Sequence, residues 1–108
     1  MLSEIFRLDG KIIVISGATG LLGKKHAEAI ACFGGTPVLL DLSQSMVDSF
    51  AEELNRQYDT GSVGFAVDIT DENAIKNNVL TLIELFGKID GLVNNAANNP
   101  KVEDNNEK

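Results

Sequence analysis

The sequence holds one cysteine, one histidine, one tyrosine, two prolines and no tryptophan. With Cys32 alone, no internal disulfide can form, and no cluster of metal ligands is spelled out along the chain. Cys32 stands among Ile30, Ala31 and Phe33, so it reads as a packing residue rather than a reactive thiol. Basic residues are scarce as well. Nine Lys and Arg face sixteen Asp and Glu, and a net charge of −7 argues against a nucleic-acid backbone as partner. No apolar run approaches the roughly 18 residues of a membrane span. The first residues carry Glu4 and Asp9 and lack the apolar core of a secretory signal, so the cytoplasm is the expected compartment.

What remains is a chain of 108 residues, 44% apolar and 23% charged, an ordinary globular composition. Its length suits one domain, able to bury roughly two thirds of its unfolded surface.

The apolar residues alternate between two periods. "KIIVIS" (11–16) is a short continuous run, suited to a strand buried on both faces. "LLGKKHAEAIACFGG" follows as a helix with Leu22, Ala27, Ile30 and Ala31 inward and Gly34-Gly35 as its stop. "TPVLLD" (36–41) is a second strand, with Pro37 near its start. A helix from about Ser43 to Tyr58 carries Val47, Phe50, Ala51, Leu54 and Tyr58 at helical spacing. "SVGFAVD" is a third strand. Thr70 is the expected cap of a third helix, whose face is Ile75, Val79, Leu82, Ile83 and Phe86 and whose end is Gly87. "DGLVNNAA" is a fourth strand, and residues 98–108 lack any period and read as loop or disordered tail. The order β-α-β-α-β-α-β predicts an α/β, Rossmann-like, doubly wound parallel sheet of four strands, order 3-2-1-4, spanning residues 1–97. Such a sheet binds ligands at the carboxyl ends of its strands, where the order reverses.

"SGATGLLGKK" (16–25) lies at that point and admits two readings. As Gly17, Gly20 and Gly23 at intervals of three, it is a dinucleotide cradle: a sharp turn, an open approach for a pyrophosphate, and close packing of the new helix. As a P-loop it fails, because Ala18 replaces the first glycine and Lys25 the magnesium-binding hydroxyl. Asp41, 18 residues past Gly23, ends the second strand, where a carboxylate accepts from ribose hydroxyls and repels a 2′-phosphate. This favours NAD, although Ser43 or Lys24 leaves NADP open. The competing role for Asp41, capping the next helix, suits Ser43 better.

"ISGATGLLG", "VDIT" and "LVNNAA", in this order after the first, third and fourth strands, resemble the short-chain dehydrogenase/reductase family from about Leu8 to Ala97. The wider texture is loosely similar to bacterial members that modify surface glycans or flagellin. The resemblance implies a cofactor-binding set of Gly17, Thr19, Gly20, Leu22, Gly23, Asp41, Leu42, Asp68, Ile69, Asn94 and Ala96. In it Asp68 contacts the adenine, Ile69 packs beside that ring, and Asn94, Asn95 and Ala96 support the sheet and line the adenosine-ribose side.

Two departures matter. The family's loop is Thr-Gly-x-x-x-Gly-x-Gly, whereas here the middle glycine comes one place early, at Gly20, with Leu21 in its usual position. That spacing recurs in the extended branch of nucleotide-sugar epimerases and dehydratases, while "NNAA" points to the shorter-chain dehydrogenases. The family also uses a serine and a Tyr-x-x-x-Lys pair for hydride transfer. Tyr58 has no lysine four places on, and His26 has no carboxylate at a nucleophile–base spacing, so no catalytic residue and no metal ligand is assigned.

The resemblance therefore implies the amino-terminal cofactor-binding portion of a dehydrogenase, truncated and inactive alone. Its parent would pass hydride between NAD(P) and an alcohol or ketone, possibly a sugar derivative. The edge of the last strand suggests a homo-oligomer. The alternatives are a non-catalytic nucleotide-binding module and an extended-branch fragment.

Overall fold

The computed structural model describes residues 7–95. Ala96, Ala97 and the 98–108 segment lie outside the described residues, as does the first part of the amino terminus. Seven elements alternate: β1 (Ile12–Ser16), α1 (Leu21–Cys32), β2 (Thr36–Asp41), α2 (Gln44–Tyr58), β3 (Val63–Ala66), α3 (Glu72–Phe86) and β4 (Gly91–Asn94). The strands form one sheet of order β3-β2-β1-β4, every pair parallel. This is the expected doubly wound topology.

β1 and β2 are the two internal strands, which is why their sequences are continuous apolar runs. Alternate residues feed opposite faces. Ile15 and Leu39 pack with Ala27, Ile30 and Ala31 of α1 and Val47, Phe50 and Leu54 of α2. Val14, Val38 and Leu40 pack with Val67 and with Leu82 of α3 on the other side. Two successive crossovers thus step one way along the sheet with their helices on one face. The third steps to the far side of β1 and lays α3 on the opposite face, as right-handed crossovers require.

The helix ends show local chemistry. Ser43 caps α2, its Oγ accepting from the Met46 N–H at 3.3 Å. The cap of α3 is Asp71 rather than Thr70. Asp71 Oδ1 accepts from the N–H groups of Asn73 (3.1 Å) and Ala74 (3.2 Å), whereas the Thr70 hydroxyl donates to Asp68 Oδ1 at 2.7 Å. A hydroxyl turned back on a preceding carboxylate is unavailable to the helix ahead of it.

Two expected packing positions face solvent. The inner row of α1 is Gly23, Ala27, Ile30 and Ala31, and both Leu22 and Cys32 are exposed because each stands about 100° round the helix from that row. On α3 the expected stripe is only half covered. Leu82 is buried, while Ile75, Val79 and Ile83 remain partly exposed, because the sheet meets the helix along one line and nothing described packs on its outer side. β3 and β4 are also shorter than expected, each four residues. No described helix is long and apolar enough to cross a membrane.

Candidate functional site

The site begins where β1 ends. Ser16 is buried, and its Oγ donates to Asn94 Oδ1 at 2.9 Å and accepts from the Asn95 N–H at 3.1 Å. The carboxyl ends of β1 and β4 are thereby tied, consistent with the in-register pair Ser16 and Asn94. Gly17 follows in the left-handed region, φ +64°, a conformation that β-carbons disfavour. The chain then reverses: the Ala18 N–H donates to the Leu40 carbonyl at 3.1 Å, and the Gly20 N–H to the Gly17 carbonyl at 3.2 Å.

The remaining two glycines have different reasons to be glycine. A β-carbon on Gly23 would overlap the Gly17 carbonyl oxygen and stand 2.9 Å from the Ala18 Cα, so α1 can seat against the loop only without one. A β-carbon on Gly20 would make an ordinary 3.4 Å contact with the Gly17 oxygen, and its φ of −75° suits any residue. Nothing in the described chain requires glycine at position 20. Its bare backbone leaves open the approach to the first turn of α1, where no side chain caps the helix and no acidic residue lies. Helix-start N–H groups without acceptors attract an anion. The loop therefore fits a pyrophosphate.

Asp41 closes β2 beside this loop. Its Oδ2 accepts from the Thr19 hydroxyl (2.6 Å) and the Thr19 N–H (3.0 Å), and its Oδ1 from the Leu42 N–H (2.8 Å). Partial burial pushes the carboxyl up, but these hydrogen bonds outweigh it and hold Asp41 below the usual carboxylate range. Asp68 is likewise lowered, by the hydroxyl and N–H of Thr70. Both are ionised at neutral pH.

A hollow of about 320 Å³ lies between these strand ends, lined by Gly17, Leu40, Asp41, Leu42, Val67, Asp68, Ile69 and Thr70. Five of the expected residues meet there: Gly17, Asp41, Leu42, Asp68 and Ile69. Thr19 instead lines a neighbouring hollow of about 250 Å³ with Lys24, Ser45, Met46, Ser49, Phe50 and Glu53. Lys24 Nζ stands over the Phe50 ring, 5.3 Å from its centroid. Asn94 and Ser16 face a third, more apolar cleft of about 360 Å³ between α3 and the sheet, which Ile69 borders as well. Gly20, Leu22 and Gly23 belong to the loop and helix start and line none of the three; Ala96 is outside the described residues.

The sequence reading did not anticipate that Thr19 holds Asp41, or that Ser16 holds Asn94. Both contacts follow from strand register, and only the pairing of β1 with its two neighbours makes them visible. Tyr58 ends α2, half-buried against the core at the amino-terminal edge of the sheet, the opposite edge from the loop. His26 is exposed on α1.

A family profile described as short chain dehydrogenase matches residues 11–108. Trans-4-hydroxycyclohexanecarboxylate dehydrogenase of Sinomonas cyclohexanicum is 34% identical over 95 residues, which cover 83% of this chain and 37% of that protein. Among solved structures, NAD+-bound xylitol dehydrogenase superposes with a TM-score of 0.73 at 27% identity, over 78% of this chain and 32% of its own. L-sorbose reductase from Gluconobacter frateurii, complexed with NADPH and L-sorbose, superposes with a TM-score of 0.81 at 28% identity, over 85% of this chain and 35% of its own. The chain thus spans about a third of the length of these proteins.

Proposed function

The chain belongs to the short-chain dehydrogenase family, and from that membership we propose that it is the amino-terminal, cofactor-binding portion of an NAD-dependent alcohol or ketone oxidoreductase. The observation that carries this reading is the convergence of Gly17, Asp41 and Asp68 on one hollow at the carboxyl ends of β1, β2 and β3. The start of α1, left open by Gly20, would receive the pyrophosphate. Asp41 would accept from the adenosine ribose, and Leu42, Asp68 and Ile69 would surround the adenine. Asn94 would support this side through Ser16. The ionised Asp41 favours NAD over NADP by repelling a 2′-phosphate.

The chemistry a bound nicotinamide supplies is hydride exchange with a substrate carbon. This sequence contains no Tyr-x-x-x-Lys pair, so the chain by itself binds and does not turn over. Titration of NAD+ and NADP+ into the isotope-labelled chain, followed by amide chemical shifts, tests the reading. The expected result is a millimolar-class site, with shifts at Gly17–Gly23, Asp41–Leu42 and Asp68–Ile69 and preference for NAD+. No perturbation there by either nucleotide, or measurable alcohol oxidation by the chain alone, would overturn it.

A second reading, an extended-branch nucleotide-sugar epimerase or dehydratase portion, is favoured by one feature: Gly20 takes the middle position and Leu21 projects into solvent beyond it. We also propose self-association through the free edge of β4, and a cytoplasmic setting, supported by a lone exposed cysteine with no disulfide partner.

A further inference from the structure

We infer that Thr19 is a positioning residue for cofactor choice: it locks the Asp41 carboxylate into one orientation and so closes the Lys24-lined hollow to a 2′-phosphate. This rests on the dinucleotide reading of the site and adds to it the residue that enforces selectivity.

The geometry carries the argument. An ionised carboxylate offers about four acceptor positions. Three are taken, two on Oδ2 by Thr19 and one on Oδ1 by the Leu42 N–H. The single remaining position, on Oδ1, accepts from a ribose hydroxyl. A phosphate monoester, mostly doubly charged at neutral pH, is a poor donor there and meets a fixed negative charge instead.

The Thr19 hydroxyl has one proton, and it is committed to Asp41 at 2.6 Å. Thr19 also lines the neighbouring hollow, so with that proton committed it offers no hydroxyl donor to an anion there. Beside Thr19, that hollow is lined by Lys24, Ser45 and Ser49, groups that favour a phosphate, and by Glu53, which opposes one. Thr19 lines this hollow and Asp41 the one with Gly17, Asp68 and Ile69, so their hydrogen bonds join a wall of each.

Removing the hydroxyl alone tests the lock. Valine matches threonine in shape and β-branching, so Thr19→Val preserves the backbone and its N–H bond while freeing half of the grip on Oδ2. The carboxylate can then rotate, and the route to Lys24 opens. Thr19→Ser keeps the hydroxyl and serves as the conservative rescue.

Two readouts on the full chain decide the matter. The first is the ratio of NAD+ to NADP+ affinity from amide-shift titrations. The second, which needs no ligand, is the titration midpoint of the Asp41 carboxyl carbon, read with Lys24, Glu53 and Asp68 as the charged groups bordering the two hollows. Thr19→Val is expected to lower the affinity ratio about tenfold, the order of one charge-assisted hydrogen bond. It should also raise the Asp41 midpoint, and Thr19→Ser should restore both.

An unchanged ratio in Thr19→Val overturns the role of Thr19 while leaving the cofactor site standing. An unchanged Asp41 midpoint overturns the lock itself. If neither nucleotide perturbs the loop in any of the chains, the dinucleotide reading falls, and this inference with it. Should Thr19→Val fail to fold, Thr19→Ala carries the same two expectations.

Discussion

Gly20 and Gly23 sit three residues apart in one loop, yet for opposite reasons. Gly23 is demanded from inside, by the Gly17 carbonyl beneath it; Gly20 meets only ordinary contact. Gly23→Ala should therefore destabilise the fold by about 1–3 kcal/mol, the usual result of overpacking. Gly20→Ala should leave the denaturation midpoint nearly unchanged and weaken NAD+ binding several-fold, which thermal melts and shift titrations together would show. Asp41 makes a second residue-scale case. Its folded-state pKa is depressed, so its contribution to stability is complete above the ordinary carboxylate value of about 4 and is lost as pH falls through the folded value. Asp41→Asn offers one acceptor oxygen in place of two, leaving either Thr19 or Leu42 without its partner. At pH 7 it should cost about 1 kcal/mol, partial exposure limiting the effect, and in urea melts the deficit should vanish at low pH.

At the scale of elements, β4 is four residues long and pinned at both ends. At its start, Asp90 accepts from the Ile12 N–H at 2.8 Å and pairs with Lys88 at 3.1 Å; at its end, Asn94 takes the Ser16 hydroxyl. Ser16 is buried, so Ser16→Ala leaves the Asn94 oxygen and the Asn95 N–H without that partner. A loss of roughly 1–2 kcal/mol is expected, with faster amide exchange in β4 than in β2. The elements themselves were legible from residue pattern. Continuous apolar runs marked β1 and β2, and Ser43 announced α2. The cap of α3 was misread at Thr70 because sequence spacing does not say whether a hydroxyl turns forward to the helix or back to Asp68. Leu22 and Cys32 were misplaced for a related reason: an apolar side chain on α1 is buried only if it lies on the Gly23–Ala27–Ile30 row.

For the whole molecule, the uneven covering of the sheet matters most. Among the described residues, one face carries α1 and α2 and the other α3 alone, with Ile75, Val79 and Ile83 partly exposed and Leu92 of the edge strand 66% exposed. An edge strand beside an apolar helix face favours association with another chain. Light scattering should find a concentration-dependent mass above that of one chain. The double change Val79→Asp and Leu92→Lys should shift it toward monomer without loss of helical signal. A monomer at all concentrations would count against association through this side. The Asn78 side chain, buried beside this cleft, makes no hydrogen bond among the described residues.

The alternation of apolar periods, the glycine spacing and the acid after the second strand were enough to determine the parallel sheet, its order and the place of the glycine loop. These are local patterns, and a right-handed crossover leaves few ways to connect them. Only the tertiary structure decided which donors reach Asp41, which glycine is open to a ligand and which side of α3 is left bare. Thr19 and Asp41 are 22 residues apart and meet because β1 and β2 run in parallel register, bringing two strand ends to one point that no stretch of sequence contains.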